Sequence, residues 1–129
     1  MRDRILEELV LVRAVYGGAS AGPDAAWVKL DNRDLIAGWN RSSTPILIEI
    51  PIGYPAVPPD NFFTAADLRL ADGRVPSNTM GIKVIDGSEW LGFSHHAEGG
   101  TWQAHADLAQ SHTLVDYVAS VLDRLGERS

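Results

Sequence analysis

Isoleucines at positions 46, 48, 50 and 52 recur at every second residue, and the run then breaks on Tyr54-Pro55 and Pro58-Pro59. Period-two spacing puts the four side chains on one face of a strand. The prolines fix φ and remove backbone donors, so pairing must stop there and the chain must leave as a rigid extended corner. An aromatic residue before proline also makes Tyr54-Pro55 a candidate cis bond. Any fold for this chain must therefore accommodate a strand ending in a stiff crossing segment.

The rest of the chain supplies partners for that strand. Ile5, Leu9, Val12 and Tyr16 form one stripe at helical spacing, which predicts a helix over 3–16, stopped by Gly17-Gly18. Strands are expected at 26–30 and 35–39, with Asp31-Asn32 as the turn between them, then at 45–52 and 61–64. Short stretches around Leu68 to Leu70 and Ile82 to Ile85 also have strand character. Asp86-Gly87-Ser88 reads as a tight turn opening a long, glycine-rich surface loop over 86–101. Thr113 and Asp116 have the spacing of a capping box, and Leu114, Val118, Val121, Leu122 and Leu125 continue as an apolar helical stripe up to Gly126. The expected fold class is α+β: an N-terminal helix, an antiparallel four-stranded meander and a C-terminal helix, in a single domain over 1–129.

Composition narrows the function. The formal charge is −6, and the two lysines, Lys29 and Lys83, and nine arginines are scattered without a basic run. Nucleic acid and acidic membrane surfaces are therefore poor partners. No apolar run approaches the roughly 20 residues of a membrane span, and the N-terminal residues lack a signal-peptide apolar core, so a cytoplasmic protein is expected. There is no cysteine, which removes disulfides, thiolate metal sites and thiol nucleophiles together.

Two groups of residues carry chemistry. His95, His96, His105 and His112 lie within 18 residues. His95 or His96 with His105, and Asp107 beside them, are metal candidates for zinc, although the spacing matches no recognised motif and no cofactor is favoured. A histidine activating Ser94 or a water is a second reading, and loop histidines bonding backbone groups or a partner a third. Trp90 and Trp102 bracket the glycine-rich loop; each either anchors it on the core or presents an aromatic surface. Trp27 and Trp39 fall in strand candidates and are expected in the core.

The strand ending in Tyr-Pro-x-x-Pro-Pro, within the order helix, meander, irregular stretch, tryptophan and helix, resembles the ubiquitin-conjugating enzyme superfamily over about residues 1 to 125. Glu89-Trp90-Leu-Gly-Phe-Ser94-His95, followed by Gly-Thr-Trp102 and Asp107-Leu108, is similar to the superfamily's divergent bacterial branch, several of whose members lack the cysteine. The resemblance implies a ubiquitin-like protein and an activating-enzyme-like protein as partners, with Tyr54, Pro55, Pro58, Pro59, Trp90 and Trp102 as binding candidates. Conjugating members place a cysteine thiolate about eight residues before a tryptophan, where this chain has Ser94, and no His-Pro-Asn precedes it; Pro76-Ser77-Asn78 is the nearest counterpart. The resemblance thus implies an atypical or non-catalytic relative that binds such partners. The alternatives are a serine/histidine or metal-assisted hydrolytic site at Ser94, His95 and His96, and a purely structural interaction domain.

Overall fold

A computed structural model describes residues 2–97 and 101–129. Helix α1 (Arg2–Tyr16) leads into β1 (Ala19–Ala21), a 3-10 turn (Pro23–Ala25), β2 (Trp27–Asp34), β3 (Ser43–Glu49), β4 (Asn61–Ala65), β5 (Thr79–Ile85) and β6 (Ser88–Ser94). A second 3-10 turn (Leu108–Gln110) precedes helix α2 (Leu114–Leu125). The strands form one antiparallel sheet in the order β1-β2-β3-β4-β6-β5. The α+β class and the two terminal helices are as expected; the sheet has six strands rather than four.

Three local differences produce that change. First, β2 runs straight through Asp31-Asn32, absorbing them in a bulge between Leu30 and Arg33. The expected strand at 35–39 does not form; Ala37, Trp39 and Leu70 make isolated bridges instead. Second, the isoleucine strand ends at Glu49, so Ile46 and Ile48 are buried while Ile52 is wholly exposed. Third, the expected loop over 86–101 begins as β6, whose residues 90 to 93 are all buried. Asp86 and Gly87 both take positive φ, 52° and 79°, which suits a two-residue hairpin turn between β5 and β6. Of the remainder of that expected loop, residues 98–100 lie outside the described residues.

The sheet is apolar on both faces. One face carries Val28, Leu30, Ile46, Ile48, Phe62, Leu91 and Phe93, covered by Ile5, Leu9 and Val12 of α1 and by Leu114, Val118, Val121 and Leu125 of α2. The phenyl rings of Phe62 and Phe93, opposite each other in register, stack with centroids 4.8 Å apart. The other face carries Leu47, Phe63, Ile85 and Trp90, with Trp27 packed at its edge. Lys83 closes it: its ammonium lies 5.7 Å from the Phe63 ring centre and holds both Glu49 oxygens, at 2.8 and 3.1 Å.

Both helices are tied to the proline corner by one side chain. Glu8 sits in the buried stripe of α1 and is fully buried. Its Oε1 accepts from the α2 backbone N–H of Leu114 at 2.7 Å and from the Tyr54 hydroxyl; its Oε2 accepts from Arg4 Nε at 2.7 Å. A buried carboxylate is tolerated when it is paired and fully hydrogen-bonded, and a helix N-terminus is where it is best placed. The Tyr54-Pro55 bond is cis.

Candidate functional site

β6 ends at Ser94, level with Asn61 of β4. The Ser94 N–H donates to the Asn78 carbonyl at 2.8 Å, and the His95 N–H donates to the Asp60 carbonyl at 3.0 Å. The chain is therefore gripped between the segment before β5 and the end of the proline corner. Arg124 of α2 holds the first of these grips. Its guanidinium, packed over Phe93, donates to the Ser77 carbonyl at 2.9 Å and to the Ser129 carbonyl at 2.8 Å. The weak Pro76-Ser77-Asn78 motif thus does lie beside Ser94.

The four histidines divide into different tasks. His96 is exposed, and its Nε2 comes within 3.4 Å of the half-buried Ser94 Oγ. That is looser than a good hydroxyl hydrogen bond. His95 turns the other way, onto α2. Its Nε2 lies 3.0 Å from Ser120 Oγ, and the Ser120 hydroxyl donates to the Tyr117 carbonyl at 2.6 Å. With that proton committed, the imidazole Nε2–H is the donor to Ser120. The Tyr117 hydroxyl donates back to the His95 carbonyl at 2.7 Å. Burial pushes the His95 imidazole below its ordinary value, and the charges of Arg124 and His96 act in the same direction. Burial likewise pushes the Tyr117 phenol well above its usual range.

His105 and His112 are acceptors for backbone donors. His105 Nδ1 accepts from the Asp107 N–H at 2.9 Å, and His112 Nδ1 from the Gln103 N–H at 2.7 Å. Arg4 donates to the His105 carbonyl at 2.6 Å, which fixes this loop against α1. His95, His96 and His105 are engaged separately. Among the described residues, no three His, Asp or Glu side chains come together to hold a metal ion.

Beside this strand end lies a cavity of about 280 Å³, walled by Ala97, Trp102, His112, Asp116, Tyr117 and Ser120. Trp102 stacks on His112 at 5.5 Å, and its indole N–H donates to the Pro55 carbonyl at 2.8 Å. Trp102 is therefore tied to the proline corner. Trp90 is on the sheet face remote from the helices, so the two tryptophans do not flank one site. Tyr54 and Pro59 are buried, whereas Pro55 and Pro58 are half-buried. The corner positions the loop beside it. Trp39 is in the main core and donates its indole N–H to the Leu125 carbonyl at 2.8 Å.

Sequence reasoning missed Glu8, Ser120, Tyr117 and Arg124. Glu8 and Tyr117 had a readable signal: each stands three residues after one stripe residue and four before another, Ile5 and Val12 in α1, Leu114 and Val121 in α2.

A family model described as prokaryotic E2 family E matches residues 18–124. No curated protein and no solved structure matches the chain. No helix among the described residues is long and apolar enough to cross a membrane.

Proposed function

The chain belongs to prokaryotic E2 family E, and from that premise we propose that it is an atypical conjugating-enzyme-like protein of a ubiquitin-like modification system that works by binding. Its partners on this reading are a ubiquitin-like modifier and an activating-enzyme-like protein. The observation that carries the reading is the pairing of the family match with a chain that has no cysteine. Thioester chemistry needs a thiolate, and a serine alkoxide is far less accessible near neutral pH. The binding surfaces are the Trp102 loop and the proline corner, where Pro55 and Pro58 are half-buried; Tyr54, Pro59 and Trp90 lie too deep to touch a partner and shape these surfaces from within.

Affinity capture from host lysate, with eluates read by mass spectrometry, tests this. Recovery of a ubiquitin-like or activating-enzyme-like protein is expected. Recovery of neither, under conditions that keep weak complexes, would remove the functional reading and leave the family membership.

The contact between Ser94 and His96 favours a second reading. In it, His96 Nε2 takes the Ser94 proton as Oγ attacks an acyl carbonyl, forming an oxyester and releasing the acyl group's former leaving group. A hydroxylamine-labile adduct on Ser94, lost in both Ser94→Ala and His96→Ala, would establish it. Loss of partner recovery in those same variants would count against separate binding and chemical surfaces.

A further inference from the structure

Among the bonds that hold the loop carrying Trp102 is one that a single proton can remove. Gln103 and His112 clasp each other twice: the His112 N–H donates to the Gln103 carbonyl at 2.8 Å, and the Gln103 N–H donates to His112 Nδ1 at 2.7 Å. A backbone N–H can only donate, so His112 Nδ1 must be unprotonated and the ring neutral. An imidazolium presents N–H groups at both nitrogens and has no acceptor to offer.

Among the described residues, His112 has neighbours on α1, on α2 and in its own loop. Trp102 stacks on one face. Asp116 of α2 lines the same cavity and also accepts from the Thr113 N–H at 2.8 Å. The His112 carbonyl accepts from Ser111 Oγ at 2.7 Å, and Arg4 of α1 donates to that same hydroxyl oxygen at 2.9 Å. His105 reaches Ser111 Oγ through its own N–H at 2.9 Å. Glu8 holds the Leu114 N–H two residues on. On the cavity side, among the described residues, Asp116 is the carboxylate available to an imidazolium; Arg4, behind the loop, is already engaged.

We propose that the Trp102–His112 segment is a proton-operated clasp on the cavity walled by Tyr117 and Ser120. When His112 takes up a proton, the Gln103 N–H loses its acceptor, the ring is drawn toward Asp116, and Trp102 loses its stacking partner. Acidification that charges this imidazole then opens the cavity wall. This inference rests on the loop geometry and holds whether or not the chain binds a ubiquitin-like protein.

Two-dimensional 1H–15N NMR of the whole chain tests it. In the wild type, the Gln103 amide and the Trp102 indole N–H should shift with the His112 titration, and protection of the Gln103 amide should fall about tenfold, the worth of one hydrogen bond. In His112→Asn the side-chain oxygen replaces Nδ1 as an acceptor that does not titrate, and both signals should stay constant over the same range. Signals that remain fixed in the wild type while His112 titrates would overturn the proposal, as would equal shifts in the variant. If the variant does not fold, the wild-type imidazole 15N shifts at pH 8 decide: a proton on Nδ1 would overturn the clasp.

Discussion

Glu8 shows how one side chain can organise a fold of this size. It is the fully buried junction of α1, the proline corner and the N-terminus of α2. Glu8→Ala would leave the Tyr54 hydroxyl and the Leu114 N–H without this partner and take the carboxylate from Arg4, which keeps its bonds to His105 and Ser111. Breaking a buried, hydrogen-bonded ion pair costs about 3–5 kcal/mol, so urea unfolding should show a loss of that order. Tyr54→Phe, which removes a single hydroxyl, should cost about 1 kcal/mol. His95 carries the pH dependence of the core edge. Its folded value is depressed below 6.5, chiefly by burial. The ring is neutral in both states well above 6.5; as pH falls through 6.5, the unfolded chain takes up the proton first. Its contribution is therefore present above 6.5 and lost as pH falls toward the folded value. Unfolding free energies measured from pH 7 to pH 5 should fall more steeply in the wild type than in His95→Gln.

The elements divide by how strongly their local pattern was written. Helix α2 was legible because capping chemistry and a stripe coincide. Thr113 accepts from Val115 N and Asp116 accepts from the Thr113 N–H, at 3.2 and 2.8 Å. Thr113→Ala should lower stability by about 1 kcal/mol in chemical denaturation. Helix α1 was legible through a clean period; the isoleucine period located β3 but overran its end at Glu49. Strand β6 was hidden because it is buried on both faces and so shows no alternation. Gly92 adds to the disguise. A side chain there would stand 3.0 Å from the Phe63 ring, so glycine marks a close approach inside the sheet and not a loop. The local signal was Asp86-Gly87, which serves as a hairpin turn joining two strands. The strand expected at 35–39 failed for the opposite reason. Leu35 to Trp39 is apolar enough, but Trp39 is drawn into the core to bond Leu125.

At the scale of the whole molecule, the site was legible in its parts and not in its arrangement. Ser94 and His96 were readable as a pair of residue types, and they meet. The clustering of four histidines over 18 residues was real in sequence, yet three-dimensional packing assigns them to separate hydrogen bonds. His95 follows α2 through Ser120, while His105 follows α1 through Arg4. Spacing along the chain carries no information about such tertiary partners, as no regular period links them. The proline corner worked as expected in a mechanical sense: it is clamped between Glu8 and Trp102 and sets where the Trp102 loop can lie.

The free margin of β5 has a consequence for life at high protein concentration. The sheet ends there with Met80, Ile82 and Val84 all about half or more exposed. A long, flat, greasy margin of this kind would recruit a neighbouring chain and seed fibres. The register shift between Thr79 and Gly81, with Gly81 at φ 81°, bends the strand out of that geometry and shortens its regular part. Gly81→Val, which disfavours the left-handed bend, should therefore raise light scattering and thioflavin binding on prolonged incubation while far-UV circular dichroism stays close to the parent's. An unchanged scattering trace would mean that the bend does not guard the margin. The irregularity at Gly81 is in this sense a safeguard of solubility: it lets the chain keep an apolar outer strand without polymerising through it.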